Sequence, residues 1–172
     1  MRKLTVIDYN ENWPALFETE RSLLQLTLGN VLSQIHHIGS TSVPALAAKP
    51  VIDILIEVIS LDELESLNTA MEHAGYTVRG ENGISNRRYF TKGGHQRSHH
   101  IHAFAIGDDQ IIKHLAFRDY LIKNKEVAAQ YASMKKTAML LCENDAHRYS
   151  TFKEDFIQQH LRIALIDDAH GS

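Results

Sequence analysis

The sequence predicts a mixed α/β (α+β) fold: one small β-sheet flanked by helices, with a helical C-terminal part. Over the first two-thirds of the 172 residues, apolar patterns of helical and of strand periodicity alternate, whereas the last third has helical patterns only. The strand-to-strand connections around Gly80 and Gly93–Gly94 are too short for parallel crossovers, so the sheet should be mixed. At this length the chain is expected to form one domain, residues 1–172.

Periodicity and end signals locate each element. The helices, defined by apolar residues three or four positions apart, are predicted at 14–29, 61–74, 109–122, 125–144 and 147–166. The strands, defined by short apolar or alternating runs between turn residues, are predicted at 34–39, 50–58, 76–79, 88–92 and 99–106. Ser60 suits an N-cap and Gly75 lies just beyond the end of the second helix. A frayed polar tail is expected from Asp167.

Composition excludes several classes of function. The net charge of −3 gives no support for a large basic surface, which argues against a duplex nucleic acid partner. Cys142 is the only cysteine, so neither an intramolecular disulfide nor a thiolate zinc cluster can form, and its apolar surroundings predict a buried thiol. No apolar run reaches the length of a membrane span, which predicts a cytoplasmic protein without a membrane partner. The oligomeric state stays open.

The turn after the first predicted strand carries a candidate phosphate site. Gly39, Ser40, Thr41 and Ser42 offer a flexible backbone and three hydroxyl groups to phosphate oxygens. Lys49 follows closely, and Pro50 biases its backbone towards an extended conformation, so that it could act as a point charge on phosphates. The alternative is an ordinary solvated loop, because Gly-Ser pairs mark many turns.

Acids on the second predicted strand form a candidate metal site. Asp53 and Glu57 share one face of that strand because side chains alternate along it. An acid in an apolar strand needs a metal, an ionic partner or a place at the rim of the sheet. The alternatives are a structural ion pair of Asp53 with Lys49 or an arginine, and a Glu57 that simply emerges at the exposed strand end.

Histidines and further cations complete the candidate site. His100 and His102 project from one strand face, where two imidazoles could hold a metal or carry a proton. Arg88, in the run Arg87-Arg88-Tyr89-Phe90, is predicted to contact a base or phosphate, although a surface charge is the simpler interpretation. Lys135 is a further candidate phosphate contact, with a solvated helix face as its alternative.

These residues carry a resemblance to the GrpB family of the nucleotidyltransferase superfamily. The chain is similar to that family in the segments 37–44 and 48–54, at Arg88-Tyr89-Phe90, at His100-Ile101-His102, at 117–121, and at Tyr131 with Lys135. The resemblance covers nearly the full length. It implies a nucleotidyltransferase-like fold with a helical C-terminal half. Similar domains occur fused to dephospho-CoA kinase, which implies a role in nucleotide or cofactor metabolism.

One departure from the superfamily pattern affects the expected chemistry. Members usually place two acids, one residue apart, after the Gly-Ser turn, and here Asp53 fills the first place while Leu55 fills the second. Glu57 could substitute, with His100 and His102 as the remaining ligands. That set suits Mn²⁺ or Zn²⁺ better than Mg²⁺, which prefers oxygen.

The resulting functional hypothesis is a nucleotidyltransferase that acts on a nucleotide or nucleotide-containing small molecule with a divalent metal (Mg²⁺ or Mn²⁺, or Zn²⁺). Asp53, Glu57, His100 and His102 would be its catalytic and metal-binding residues. Two alternatives stay open. One is a binding module of the same fold without catalytic activity, favoured by Leu55. The other is a metal-dependent phosphohydrolase that uses the histidine pair.

Overall fold

The computed structural model describes residues 6–141 and 146–170, and it contains a five-stranded mixed sheet with helices against both faces. Cys142, predicted as a buried thiol, lies outside the described residues. The strands are β1 (Leu32–Ile38), β2 (Ile52–Val58), β3 (Thr77–Val78), β4 (Arg88–Lys92) and β5 (His99–Ala105). The helices are α1 (Trp13–Leu28), α2 (Leu61–Glu65), α3 (Asn68–His73), α4 (Asp109–Lys123), α5 (Lys125–Leu141) and α6 (Ala146–His170).

The strand order is β1-β2-β5-β4-β3, with β2 at the second position and β5 at the centre. Only β2 and β5 pair in parallel, and the other neighbours are antiparallel. The parallel pair is possible because the chain from β2 to β5 passes through two helices and two other strands. The predicted fold class, a small mixed sheet flanked by helices with a helical C-terminal part, is therefore confirmed.

Two predicted boundaries are wrong. The helix expected over 61–74 is divided into α2 and α3, because the Ser66 hydroxyl donates to the Glu63 carbonyl at 2.5 Å and the backbone of Leu67 leaves the regular helix. The tail expected to fray from Asp167 continues as helix α6 to His170.

Apolar side chains lie on both sides of β2, which explains its nearly continuous hydrophobic run. Ile54 faces α1 and α3, where it packs in a cluster with Trp13 and Phe17. Leu55 faces α4 and packs with Ile38, Phe104 and Ile111 on the other side of the sheet. A separate cluster joins α4, α5 and α6, and includes Val43 and Leu46 from the connection after β1.

Among the described residues, no helix has both the length and the apolar character that crossing a bilayer requires.

Candidate functional site

The turn after β1 lies directly against the first acid of β2. Ile38, the last residue of β1, pairs with Asp53 in the antiparallel register. Gly39 follows with φ +71° and ψ −176°, and a Cβ atom there would lie 2.6 Å from Asp53 Oδ2. Only glycine adopts this backbone conformation readily and leaves room for the carboxylate.

Hydroxyl groups of the same turn stabilise it from within. Ser42 Oγ donates to the Gly39 carbonyl at 2.5 Å, and Thr41 Oγ1 lies 2.9 Å from His37 Nε2. Thr41 is buried, whereas Ser40 lines a cleft described below. Of the three hydroxyls predicted to face phosphate, Ser40 is therefore the one that lies at the cleft.

Asp53, His100 and His102 come together on the α4 side of the sheet. The parallel register of β2 and β5 places Asp53 beside His100 and Leu55 beside His102. Asp53 Oδ1 lies 3.3 Å from His100 Nδ1 and 3.6 Å from His102 Nε2. Burial alone would raise the pKa of Asp53, but the two imidazoles outweigh it and hold that pKa well below the usual carboxyl range.

Arg87 contacts His102 through the ring nitrogen that does not face Asp53. Its Nη1 atom lies 3.2 Å from His102 Nδ1, and the side chain is only 5% exposed. Since a guanidinium group can only donate, His102 Nδ1 must accept. The proton of the neutral ring then sits on Nε2 and points towards Asp53.

A cleft of about 470 Å³ lies between this end of the sheet and helices α4 and α6. Gly39, Ser40, Asp53 and His102 line it on the sheet side. Its charged lining groups from the helices are Lys113, Arg118, Lys153 and Glu154. Cations therefore outnumber acids in the helical wall, although the whole chain has a net charge of −3.

Two histidines, His114 at the cleft and His37 on the α1 side of the sheet, are held in the neutral form. Burial lowers the pKa of His114, which lines the cleft, to about 4, and His102 adds to this effect. Burial likewise lowers the pKa of His37 to about 4, against the opposing charge of Asp53. Both rings also make aromatic contacts, His114 with His102 at 5.5 Å between centroids and His37 with Phe17 at 4.8 Å.

Lys135 is buried beside the cleft, so the solvated helix face considered above is wrong for it. It is 2% exposed, donates from Nζ to the Ala47 carbonyl at 2.7 Å, and lies 4.7 Å from the centre of the Tyr131 ring. Burial, with Lys153 and Lys49 nearby, lowers its pKa to about 7. Lys153, which is half-buried, has its pKa lowered by desolvation as well, while Asp53 opposes the shift.

Three of the predicted site residues, Glu57, Arg88 and Lys49, do not line the cleft. Glu57 accepts from His36, with Oε2 and Nε2 2.6 Å apart, at the other end of β2 from the Gly39 turn. Arg88 makes a 2.5 Å contact from Nε to Glu65 Oε1. Arg87, which immediately precedes β4, is the arginine that contacts His102. Lys49 is half-buried near Lys135, but it does not line the cleft.

The residues that are present do not form a preassembled metal centre. Across 6–141 and 146–170, no group of three or more His, Cys, Asp or Glu side chains has the arrangement needed to hold a metal ion. Glu57 is engaged by His36, and the second acid position is occupied by Leu55, which is fully buried in the apolar cluster under α4. The predicted ligand set of Asp53, Glu57, His100 and His102 is therefore not assembled.

Sequence reasoning missed the cleft residues His114, Lys113 and Lys153. A signal for His114 was present: His114, Phe117, Arg118 and Leu121 are spaced as one face of a helix, and all four line the cleft. Lys153 had no comparable signal, because its place depends on how α6 packs against α4.

Comparisons with known proteins place these residues in a wider context. A family model described as GrpB protein matches residues 3–162. UPF0157 protein YqkA of Bacillus subtilis (strain 168) is 44% identical over 157 residues, which covers 91% of this chain and 46% of that protein. The chain thus spans about half the length of that relative.

A solved structure and a more distant relative also match. The crystal structure of conserved protein GrpB from Enterococcus faecalis superposes with a TM-score of 0.93 at 37% identity, covering 96% of this chain and 100% of that one. A dephospho-CoA kinase of Mycobacterium leprae (strain TN) is 29% identical over 169 residues, covering 82% of this chain and 41% of that protein.

Proposed function

The chain belongs to the GrpB family, and from that premise we propose that its cleft binds the phosphate groups of a nucleotide or nucleotide-containing small molecule. The observation that carries the proposal is the charge of the cleft. Lys113, Arg118 and Lys153 line its helical wall, while the one acid on its sheet side, Asp53, is already paired with two imidazoles. An anionic ligand would relieve the repulsion among these cations.

The Gly39–Ser40 turn and the lysines have distinct roles in this proposal. The Ser40 hydroxyl and the adjacent backbone would donate to phosphate oxygens at the mouth of the cleft. Lys153 would supply a charge-assisted contact from α6. Lys135, buried behind Tyr131, would add positive charge from the side without needing direct contact.

The apolar part of the cleft suits a ring system. Phe117 and Tyr131 form an edge-to-face pair with centroids 6.0 Å apart, and both line the cleft together with Ile157 and Leu161. The ring of Phe117, which is more exposed than the buried Tyr131, offers a face on which any nucleobase could stack. The ligand class that fits both parts of the cleft is therefore a phosphate joined to a planar ring.

Binding accounts for the site better than chemistry does. Asp53 is a poor proton acceptor, because its pKa is held well below the usual range. His102 is occupied on both nitrogens, by Arg87 on Nδ1 and by Asp53 on Nε2. His100 Nδ1 is likewise directed at Asp53 Oδ1, although its Nε2 atom is buried without a hydrogen-bond partner in the described part of the chain. We therefore propose a nucleotide-binding module in which the protein does not build a metal centre by itself.

Nucleotidyl transfer with a divalent cation is the second candidate, favoured by one observation. The imidazoles contact Oδ1 of Asp53, whereas Oδ2 is the oxygen that lies against the Gly39 turn. A single carboxylate together with ligand phosphates is a common environment for Mg²⁺. A cytoplasmic location accompanies both candidates, because it is the compartment of nucleotide metabolism.

Thermal-shift and calorimetric titrations test the proposal directly. ATP, GTP, CTP, AMP and dephospho-CoA are each added with EDTA, with Mg²⁺ or with Mn²⁺, and products are analysed by chromatography. We expect at least one nucleotide to raise the melting temperature in EDTA without turnover. A nucleotidyl product formed only with metal would instead support the transferase, and release of free phosphate would support a phosphohydrolase.

A pair of matched variants assigns the binding to this cleft. Lys153→Met removes a charge from the lining, and loss of a charge-assisted contact should weaken nucleotide affinity by about tenfold or more. Lys136→Met is the control, because Lys136 is half exposed and contacts Asp8 at the surface, away from the cleft. Equal affinity in both variants, or no response of the wild type to any nucleotide, would refute the proposal.

A further inference from the structure

Arg87 is a buried cation whose position is not explained by solvent exposure or by an acidic partner. It is 5% exposed, although arginine side chains are rarely buried unless they are paired. Its contacts are the Glu81 carbonyl, 3.1 Å from Nε, the Asn82 carbonyl, 2.9 Å from Nη2, and His102 Nδ1, 3.2 Å from Nη1. Burial lowers its pKa, but a guanidinium group stays charged in proteins.

The fork of Arg87 is fixed in direction by this set of contacts. Two of its nitrogens donate to carbonyls of the 80–86 turn, and the face of the guanidinium lies 4.5 Å from the centre of the Tyr89 ring. The third nitrogen, Nη1, then directs one of its two N–H groups at His102 Nδ1. A planar, rigid group held on three sides is what is needed to select one state of the imidazole.

That selection determines how Asp53 is paired. With Nδ1 accepting from Arg87, the ring proton lies on Nε2 and faces Asp53 Oδ1 at 3.6 Å. In the other tautomer, Nδ1–H would meet an N–H group of Arg87, and an unprotonated Nε2 would meet a carboxylate. Both of those contacts are repulsive, so Arg87 disfavours that tautomer.

We propose that Arg87 is the positioning residue of the cleft: acting through His102, it keeps the Asp53 carboxylate paired and its charge compensated, so that an anionic ligand can lie beside it. The tautomer part of this inference stands on the contacts alone, and the ligand part rests on the proposed function. Arg87 does not line the cleft, so it acts through His102 and not by contact with the ligand.

Nitrogen NMR of the His102 ring tests the first part in the wild-type protein. Protonated and unprotonated imidazole nitrogens resonate far apart, so the spectrum reports the tautomer directly. We expect Nδ1 unprotonated and Nε2 protonated at neutral pH, and a mixture of tautomers in Arg87→Met. A wild-type ring protonated on Nδ1 would overturn the inference without any variant being made.

Affinity measurements test the second part, with ATP as the probe. Arg87→Met should weaken ATP binding by about tenfold, because His102 then no longer keeps its Nε2–H on Asp53 and the carboxylate that faces the phosphates loses one of its two imidazole partners. Arg88→Met is the matched control, since the neighbouring arginine contacts Glu65 and not the cleft, and it should leave both the tautomer and the affinity unchanged. Urea denaturation of each variant measures the contribution of Arg87 to folding separately.

A double-mutant cycle separates positioning from a general structural role. In an Asp53→Asn background there is no carboxylate to compensate, so Arg87→Met should change ATP affinity less than twofold. Equal losses in both backgrounds would overturn the positioning role. If the wild type binds none of the nucleotides named above, the proposed function fails, and the NMR result still decides whether Arg87 sets the His102 tautomer.

Discussion

Replacing Gly39 by alanine tests the close approach between the turn and Asp53, on which the whole cleft depends. A Cβ atom at this position would lie 2.6 Å from Asp53 Oδ2 and 2.9 Å from Asp53 Cβ. Both distances are shorter than normal van der Waals contacts. Asp53 Cβ is bonded directly to the backbone, so rotation of the side chain cannot move it away. Asp53 would therefore have to move away from the turn together with part of β2.

The expected cost follows from two separate effects. Gly39 has φ +71° and ψ −176°, a region that is nearly exclusive to glycine, so a side chain there costs about 1–3 kcal/mol. Overpacking against Asp53 adds about 1–3 kcal/mol more. The free energy of unfolding should fall by about 2–6 kcal/mol in total.

Urea denaturation followed by circular dichroism measures this loss, with Gly94→Ala as the control. Gly94 also has a positive φ of +57°, but an added Cβ there would meet no atom within 4 Å. The control should lose only the backbone term, about 1–2 kcal/mol. The reasoning is refuted if Gly39→Ala destabilises the protein no more than Gly94→Ala does.

Two further predictions concern buried charges. Hydrogen bonds from Lys92 and Tyr76 outweigh burial and lower the pKa of Glu20, so its stabilisation is present above about pH 4.3 and is lost as pH falls through the folded-state value. Glu20→Gln should cost about 3 kcal/mol at pH 7 and less at pH 3, by urea denaturation, and an equal cost at both would contradict this. Lys135 has a folded-state pKa of about 7, below its unfolded value, so the unfolded chain binds more protons between about pH 7 and pH 10 and stability should rise with pH there. The free energy of unfolding, measured at pH 7 and 9.5, should therefore rise in the wild type but not in Lys135→Met. A rise of the same size in both proteins would show that Lys135 is not its source.

Much of the architecture could be predicted because it depends on local rules. Short connections around Gly80 and Gly93–Gly94 require antiparallel neighbours, and the long path from β2 to β5 permits a parallel pair. Alternation along strands put His100 and His102 on one face, so a single strand pairing was enough to bring both to Asp53. The helix over 61–74 was predicted as one element because its interruption depends on a side-chain hydrogen bond at Ser66, which periodicity does not reveal.

The sequence did not predict which side chains the candidate site residues would contact. Glu57 shares a strand face with Asp53, but its place four residues further along β2 leaves it opposite Gln34, where the imidazole of the nearby His36 binds its carboxylate. Arg87 and Arg88 are equivalent in the sequence, and only the placement of β4 beside β5 decides which one reaches His102.

By itself, the sequence determined the mixed sheet, the Gly-Ser turn and the placement of His100 and His102 on one strand face, because each follows from the spacing of residues along single strands and turns. Tertiary structure alone decided that this group is closed by Arg87 and that it faces a cationic wall including Lys153. Those contacts join segments far apart in the chain, and their geometry depends on how helices pack against a twisted sheet, which no local spacing encodes.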